Sequence, residues 1–300
     1  MNVHELRRAL EEAPRPVLLH VLPEEVFAAW RIPGSLNACV YEMVFAQRAG
    51  ELIPDKSTRV IVYGSGADSR EAAVAAEVLH GQGYRHVEEF REGFEGWSAA
   101  GLPLEGSGAI AGGNGPADGN YTLNVAESVI RWTGRNLFNH HSGTIRFASG
   151  NLAVSGGKLV SASFTADMRT IACEDLTDGA MNRLLLQHLS HSDFFETEKH
   201  PLAEFTALKA TPIPEASAGR PNFLLAGTLA VRGASRPVEF PVVVADAGGG
   251  RLTGQALLDI DRTEFGSIYG SGKFFRFLGK HVVNDVVHLH IKIHADFGNG

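Results

Sequence analysis

Two hydrophobic patterns divide the chain, and the first occupies residues 1–105. There, short apolar runs alternate with helical patterns. Residues 17–22 (VLLHVL) and 59–63 (RVIVY) are typical of buried strands, and residues 70–82 are typical of a helix. Strands that alternate with helices predict a parallel sheet with helices on both faces, which is an α/β fold.

The second pattern has a period of two, which is typical of strands with one buried face. Residues 287–294 (VHLHIKIH) alternate strictly between apolar and polar side chains, and residues 161–168, 223–231 and 237–244 alternate in a similar way. Many long strands of this kind predict an all-β antiparallel barrel or sandwich. One helical insertion, residues 178–195, interrupts them.

A stretch of small and turn-forming residues separates the two patterns. Residues 106–118 contain too little apolar surface to order themselves, so we expect a flexible linker between domains at 1–105 and 119–298. The formal net charge is −7 and the sequence pI is 6.0. Lys and Arg are not concentrated in any stretch, which argues against nucleic acid as a partner.

The start of the chain, MNVHELRRALEEAPRPV, is charged and lacks the apolar run of a signal peptide. No stretch reaches the roughly 18 apolar residues of a membrane span. The two cysteines, Cys39 and Cys173, lie in different halves and make a poor disulfide framework. We therefore expect a cytoplasmic protein.

Residues 59–84 form a strand, a Gly/Ser-rich turn and an alanine-rich helix. With HVLPEEVFAAWRIPGSLNACVYE before them and EFREGFEGWSAAGLPL after them, they resemble a rhodanese domain. In that family a cysteine directly after the strand carries sulfane sulfur, and here this position is Gly64. The resemblance thus implies the rhodanese-like fold without its catalytic thiol. His20, Leu22 and Arg31 also depart from the family pattern.

The degenerate loop leaves two alternatives open. One alternative is that its backbone N–H groups, which precede a helix, bind a small anion with help from Arg70. The other is that the loop is an ordinary strand-to-helix turn. The residues concerned are Gly64, Ser65, Gly66, Ser69 and Arg70. Cys39 is a second candidate thiol, and its alternatives are a buried structural residue or a sulfurtransferase nucleophile.

The second half carries several motifs in a fixed order: SDFF before a proline, GTLAVRG followed by RPV, and R-x-x-FG. Together with YTLNVAESVIRWTGRNL at its start, they resemble the YceI-like family over roughly residues 119–296. The resemblance implies an extended lipocalin-like antiparallel barrel. It also implies that an apolar interior holds long isoprenoid lipids, including quinones with polyprenyl tails.

The apolar strand faces provide candidates for the lining of a hollow barrel, with Ala162, Ala166 and Gly227 leaving room. The alternative is a packed core. The segment 264–281 is glycine-broken, apolar and basic, and is either a lid, a membrane-contacting patch or a plug over the barrel end. The candidate ligand-binding residues are Trp132, Phe147, Phe164, Phe205, Leu229, Phe240, Phe265, Tyr269, Phe274 and Phe275.

The expected function is binding or carriage of a polyisoprenoid or another long-chain lipid, with an inactive rhodanese-like module for docking or regulation. The alternatives are a sulfurtransferase-type enzyme that uses Cys39 and a non-catalytic interaction scaffold. Transient membrane contact and a homodimer stay open. We expect no cofactor and no catalytic residues. We also expect no metal, because no cysteine or carboxylate with ligand spacing joins the His140–His141 and His288–His290 pairs.

Overall fold

A computed structural model describes residues 1–109, 116–214, 216–217 and 219–298. The chain forms two compact units, 1–113 and 114–300. The predicted linker is described only at its two ends, because 110–115 lie outside the described residues. At its beginning, the Ser107 and Gly108 N–H groups donate to the Ala28 and Ala29 carbonyls of the first unit, both at 3.0 Å. The exact domain bounds and the flexibility of the linker stay predictions.

The first unit is a four-stranded parallel sheet in the order β2-β1-β3-β4, as the sequence predicts. The two central strands read as continuous apolar runs because helices cover both faces of the sheet. The elements are α1 (Val3–Leu10), β1 (Val17–His20), α2 (Glu24–Ala29), β2 (Leu36–Asn37), α3 (Phe45–Leu52), β3 (Arg59–Tyr63), α4 (Glu71–Gly81), β4 (His86–Phe90) and α5 (Gly93–Ala99).

The second unit is a closed antiparallel barrel with one helix, and this confirms the predicted fold class. The strands follow the order β12-β11-β10-β9-β8-β7-β5-β13-β6, and pairing between β12 and β13 closes the barrel. The elements are β5 (Gly119–Leu123), β6 (Val129–Arg135), β7 (His140–Ser155), β8 (Lys158–Cys173), α6 (Gly179–Ser190), β9 (Leu202–Pro212), β10 (Phe223–Val231), β11 (Ala234–Gly248), β12 (Arg251–Asp261) and β13 (Val286–Phe297).

Two short strands share one place in the barrel wall. β5 pairs with the far end of β7 and β6 pairs with its beginning, while both also pair with β13. The nine strands therefore occupy eight positions around the barrel. Eight positions are enough for an interior that holds either side chains or one small ligand.

Helix α6 is shorter than the predicted insertion over 178–195. It begins after Asp178, whose carboxylate accepts the Ala180 and Met181 N–H groups at 2.8 and 3.1 Å, and it ends at Ser190. The following residues form turns that bury Phe194 against the barrel. In the part of the chain that the structure describes, no helix has both the length and the apolar character that crossing a bilayer requires.

Candidate functional site

The barrel encloses an apolar cavity of about 410 Å³, which falls within the range of about 300–1,000 Å³ typical of small-molecule sites. Its wall follows from the period-two pattern. Ala162, Phe164, Ala166 and Met168 of β8 all face it, and β11 and β13 contribute their predicted inward faces in the same way. Alternation of apolar and polar residues therefore predicted which side chains point into the barrel.

The predicted aromatic lining surrounds this cavity. Pairs of rings touch, with centroids 5.2 Å apart for Phe205 and Phe240 and 5.9 Å for Phe147 and Phe164, yet the space between the pairs stays open. Ligand binding by these residues stays a prediction. The predicted residues that line the cavity are Trp132, Phe147, Phe164, Phe205, Leu229, Phe240, Phe265 and Tyr269.

Gly227 does not create room in the cavity, contrary to the expectation from its strand face. A Cβ at this position would lie 2.3 Å from the Thr206 carbonyl oxygen and 2.8 Å from the Phe205 ring. The reason is an irregularity in the pairing of β10 with β9 between Ala226 and Gly227, which brings the neighbouring backbone close. Gly227 therefore serves the close approach of two strands.

The three motifs of the second half meet at one end of the barrel. Arg232, from the VRG turn, donates from Nη1 to the Gly266 carbonyl at 2.6 Å and from Nη2 to the Ser192 carbonyl. The Arg262 guanidinium lies 5.1 Å from the centroid of the Phe194 ring. Two arginines therefore join the turn after α6, the β10–β11 hairpin and the segment that follows β12.

Arg262 is a clamp for the segment between β12 and β13. Its side chain is only 2% exposed, and burial lowers its pKa. Nε donates to Asn284 at 3.0 Å, Nη1 to Ser267 at 2.6 Å, and Nη2 to Tyr269 at 2.7 Å, all at carbonyl oxygens. Because backbone carbonyls take these donors, the guanidinium holds the segment in place, although it also borders the cavity.

This clamp divides the predicted lid into two parts. Phe265 and Tyr269 are held against the cavity, which agrees with the plug alternative. Phe274 and Phe275 lie on the surface, 54% and 44% exposed, and Phe277 is fully exposed. The structure therefore does not bring Phe274 and Phe275 into the cavity wall, because the clamped residues before and after them leave 272–281 projecting outwards.

The mouth of the cavity is formed by three segments that sequence patterns did not bring together. Asn136, in the β6–β7 hairpin, pairs with Val283 of the clamped segment, and the His188 ring of α6 meets the Tyr269 ring edge-on at 4.3 Å. Leu137 and Phe138 at the hairpin tip are exposed, as are Met181 and Leu184 of α6. The mouth thus has an exposed apolar rim, which we define as Leu137, Phe138, Met181, Leu184, Phe274, Phe275 and Phe277.

In the first unit, the loop after β3 is filled by the chain's own carboxylate. The Ser65 hydroxyl donates to Glu71 Oε1 at 3.1 Å, and the Ser69 hydroxyl donates to Oε2. A Cβ at Gly64 would lie 3.1 Å from Glu71 Oε2, so this carboxylate borders the place of the family's thiol. An added anion would meet its negative charge, which favours the alternative of an ordinary turn over anion binding.

The other polar groups near this sheet edge are buried. Cys39 is 5% exposed and is unpaired, as a structural thiol would be. His20 is fully buried among the rings of Phe27, Tyr63 and Phe94, and burial lowers its pKa from 6.5 to about 4. At this position, where the sequence departs from the family pattern, the chain therefore buries a neutral imidazole.

The barrel mouth also contains a cluster that the sequence reading missed. His141 Nδ1 lies 3.0 Å from Asp175 Oδ2, and the Cys173 thiol donates to Asp175 Oδ1 at 3.3 Å. Burial alone would raise the pKa of Asp175, but hydrogen bonds from the Ser142 N–H, His141 and Cys173 outweigh it and lower the pKa to about 2. A cysteine and a carboxylate therefore lie beside His141 in space, although neither has ligand spacing with it in the sequence. Only the antiparallel register could have revealed it.

A closed antiparallel barrel around an apolar cavity, preceded in the sequence by a parallel α/β unit, defines the class of this protein. The family model of the YceI-like domain matches residues 121–295, and that of the rhodanese-like domain matches residues 2–100. The chain belongs to the YceI-like family and carries a rhodanese-like domain ahead of its YceI-like domain.

Among curated proteins, the chain is similar to the HTH-type transcriptional regulator Rv0324 of Mycobacterium tuberculosis. The two are 32% identical over 109 residues, which cover 36% of this chain and 45% of the regulator. The chain therefore spans less than half the length of that relative.

Solved structures resemble each unit. BcnA of Burkholderia cenocepacia is 22% identical, with a TM-score of 0.46, over 57% of this chain and 98% of BcnA. A polyisoprenoid binding domain from Saccharophagus degradans is 16% identical, with a TM-score of 0.43, over 59% and 98%. The Alr3790 protein of Anabaena is 28% identical, with a TM-score of 0.32, over 36% and 82%.

Proposed function

We propose that the second unit binds and carries a long-chain isoprenoid lipid, such as a prenyl quinone, in its barrel. The observation that carries the proposal is the apolar cavity of about 410 Å³, with an apolar rim at its mouth. The open space supports the hollow-barrel alternative over a fully packed core. The family resemblance implies the same class of ligand.

The energetics favour a carrier over a permanent complex. Moving a tail from water into the cavity stabilises the bound state by about 0.8 kcal/mol per CH₂. The bilayer solvates the same tail equally well, so transfer from membrane to protein is close to neutral for each carbon. Occupancy is then decided by the lipid headgroup and by access to the membrane, and the lipid can leave as readily as it enters.

Transient membrane contact is part of this proposal. The rim combines exposed Leu137, Phe138 and Phe277 with the nearby basic side chains of Arg276 and Lys280. Apolar side chains enter the interface of a bilayer, and basic ones are attracted to anionic headgroups. The rim therefore supports a contact in which the cavity mouth faces the membrane from which the lipid is taken.

The first unit is proposed to be non-catalytic and to dock or regulate. Glu71 borders the place of the missing thiol, and Cys39 is too buried to exchange sulfur with a substrate in this conformation. Neither the docking partner nor a homodimer is specified by the described residues. The cytoplasmic location stays a prediction from the sequence.

The test is transfer of a long-tailed prenyl quinone from phosphatidylcholine vesicles to the full chain, compared with the same quinone without its tail. We expect saturable transfer of the long-tailed quinone alone. Equal binding of both compounds, or of neither, would refute lipid carriage.

A matched pair of variants tests the mouth. Phe277→Ser removes a fully exposed rim side chain, whereas Leu257→Ser removes a similarly exposed one from the outer wall of β12. Transfer from vesicles that contain anionic phosphatidylglycerol should slow in Phe277→Ser and stay unchanged in Leu257→Ser. Equal rates in both variants would remove the rim from the proposal.

A further inference from the structure

The strongest unassigned feature is the cluster of His141, Cys173 and Asp175 at the barrel mouth. These three residues are the one group of His, Cys, Asp or Glu side chains, within the described ranges, whose donor atoms all lie within 4.8 Å of one another. They provide an imidazole nitrogen, a thiol sulfur and a carboxylate oxygen. We propose that they form a Zn²⁺ site with three protein ligands and a water molecule in the fourth position.

The strand register brings the ligands together. β7 and β8 are antiparallel, and Gly143 pairs with Cys173, so His141 lies opposite Asp175 where the two strands end. β8 ends at Cys173, and Asp175 lies in the bend that follows, where its carboxylate contacts both the Cys173 thiol and the His141 ring. Gly143 allows the two strands to approach closely at this point, because a Cβ there would lie 1.7 Å from the Ala172 carbonyl oxygen.

The spacing of the donor atoms suits a tetrahedral ion. Zn²⁺ bonds of about 2.0 Å to nitrogen or oxygen and about 2.3 Å to sulfur place tetrahedral ligands about 3.3–3.6 Å apart. Here, His141 Nδ1 lies 3.0 Å from Asp175 Oδ2, the Cys173 sulfur lies 3.3 Å from Asp175 Oδ1, and one donor atom from each residue lies within 4.8 Å of the other two. Small side-chain movements bring one donor atom of each residue to this spacing, and a thiolate with an imidazole favours zinc over calcium or magnesium.

The backbone around the cluster is held in place before any ion binds. The Ser142 N–H donates to Asp175 Oδ1 at 2.6 Å, and the Glu174 N–H donates to the Ser142 carbonyl at 2.8 Å. The Asn182 side chain of α6 donates to the Cys173 and Leu176 carbonyls at 3.0 and 2.9 Å. Outer hydrogen bonds of this kind orient metal ligands and raise affinity.

The placement links the ion to the mouth. His141 lines the cavity, and Asn182 belongs to the helix that covers it. A bound Zn²⁺ would join the ends of β7 and β8 and, through Asn182, the start of α6. Of the three ligands only His141 also borders the cavity, and metal binding is measured without lipid, so either proposal can fail without the other.

The experiment titrates Co²⁺, a spectroscopic substitute for zinc, into the metal-free full chain kept reduced. We expect one equivalent to bind with a thiolate charge-transfer band and tetrahedral visible bands, and Zn²⁺ to displace it. His141→Ala, Cys173→Ser and Asp175→Asn should each weaken Zn²⁺ binding by more than the 10–100-fold of an outer-shell change.

Two control variants match the ligands in kind. His288→Ala removes a histidine that also pairs with a carboxylate, at 2.6 Å from Asp259, but belongs to no group of three donor side chains within the described ranges. Cys39→Ser removes the other thiol. Both should bind Zn²⁺ like the unaltered chain. Absence of one-to-one binding, or binding that survives all three ligand substitutions, would overturn the proposal and leave a hydrogen-bonded strand end.

A second measurement needs no substitution and therefore does not depend on the folding of variants. Alkylation of the unaltered chain, followed by peptide mass spectrometry, reports Cys173 and Cys39 separately. Zn²⁺ should slow the alkylation of Cys173 at least tenfold and leave the buried Cys39 unaffected. An equal rate for Cys173 with and without Zn²⁺ would contradict the site.

Discussion

Filling the barrel with a larger side chain tests whether the cavity is the lipid site. Ala162 lies on β8 opposite Leu152 and borders the cavity, so the substitution Ala162→Phe places a ring in open space. Burial of a whole phenylalanine side chain in an available space stabilises a fold by about 1.5–3 kcal/mol. The same ring forced into a filled core would cost about 1–3 kcal/mol.

Gly227→Ala is the matched comparison on β10. Its added Cβ would meet the Thr206 carbonyl oxygen at 2.3 Å, outside the cavity, so one small methyl group should cost about 1–3 kcal/mol. In a unit of this size, each kcal/mol moves the melting temperature by about 2–4 °C. We expect Gly227→Ala to melt several degrees below the unaltered chain and to retain its lipid. We expect Ala162→Phe to melt no lower than the unaltered chain and to lose its lipid.

Calorimetry and lipid extraction on the same samples separate these outcomes. The reasoning would be refuted if Ala162→Phe lowered the melting temperature like Gly227→Ala and left the extracted lipid unchanged. That result would mean that the space seen in the barrel is not where the lipid lies.

Three further predictions concern the first unit and the domain division. The full chain should show no thiosulfate sulfurtransferase turnover. Gly64→Cys should form a persulfide only when it is combined with Glu71→Ala, which removes the carboxylate from the loop. Activity in the unaltered chain that disappears in Cys39→Ser would instead support the enzyme alternative. The pKa of His20 is about 4 when folded and 6.5 when unfolded, so the unfolded state takes up the proton first. His20 therefore contributes about 3 kcal/mol to the free energy of unfolding above pH 6.5, and this contribution is lost as the pH falls to 4. Urea unfolding at several pH values should show the free energy of unfolding falling over this range, and His20→Leu should remove most of that fall. Fragments 1–105 and 119–298 should each fold alone, and an unfolded circular dichroism spectrum for either would show that the boundary is misplaced.

Sequence periodicity predicted the wall of the barrel well because a strand's inward face depends only on alternation. For this reason the sequence alone predicted that Phe164 and Phe240 face the interior. The expectation that Gly227 leaves room in the barrel was wrong because a local irregularity in strand pairing decides what faces the interior there. Phe274 and Phe275 lie outside the cavity wall because the position of this long segment is set by Arg262, whose carbonyl partners are not encoded in any periodicity.

Contacts between distant residues were beyond sequence reasoning for a related reason. His141 and Asp175 are 34 positions apart, and only the β7–β8 register makes them neighbours. In the first unit, the missing thiol at Gly64 was visible in the sequence, but the occupation of its surroundings by Glu71 required the conformation of the loop. Chemistry that depends on register or loop geometry therefore needed the structure.

The central claim is that the barrel carries a long apolar ligand, and native mass spectrometry of the full chain tests it most directly. The protein should be purified from its own host without detergent and compared with the Ala162→Phe variant. We predict a species heavier than the polypeptide by the mass of one polyprenyl lipid, which is recovered by organic extraction and is absent from Ala162→Phe. A spectrum that contains only the bare polypeptide, with no isoprenoid in the extract, would contradict the account.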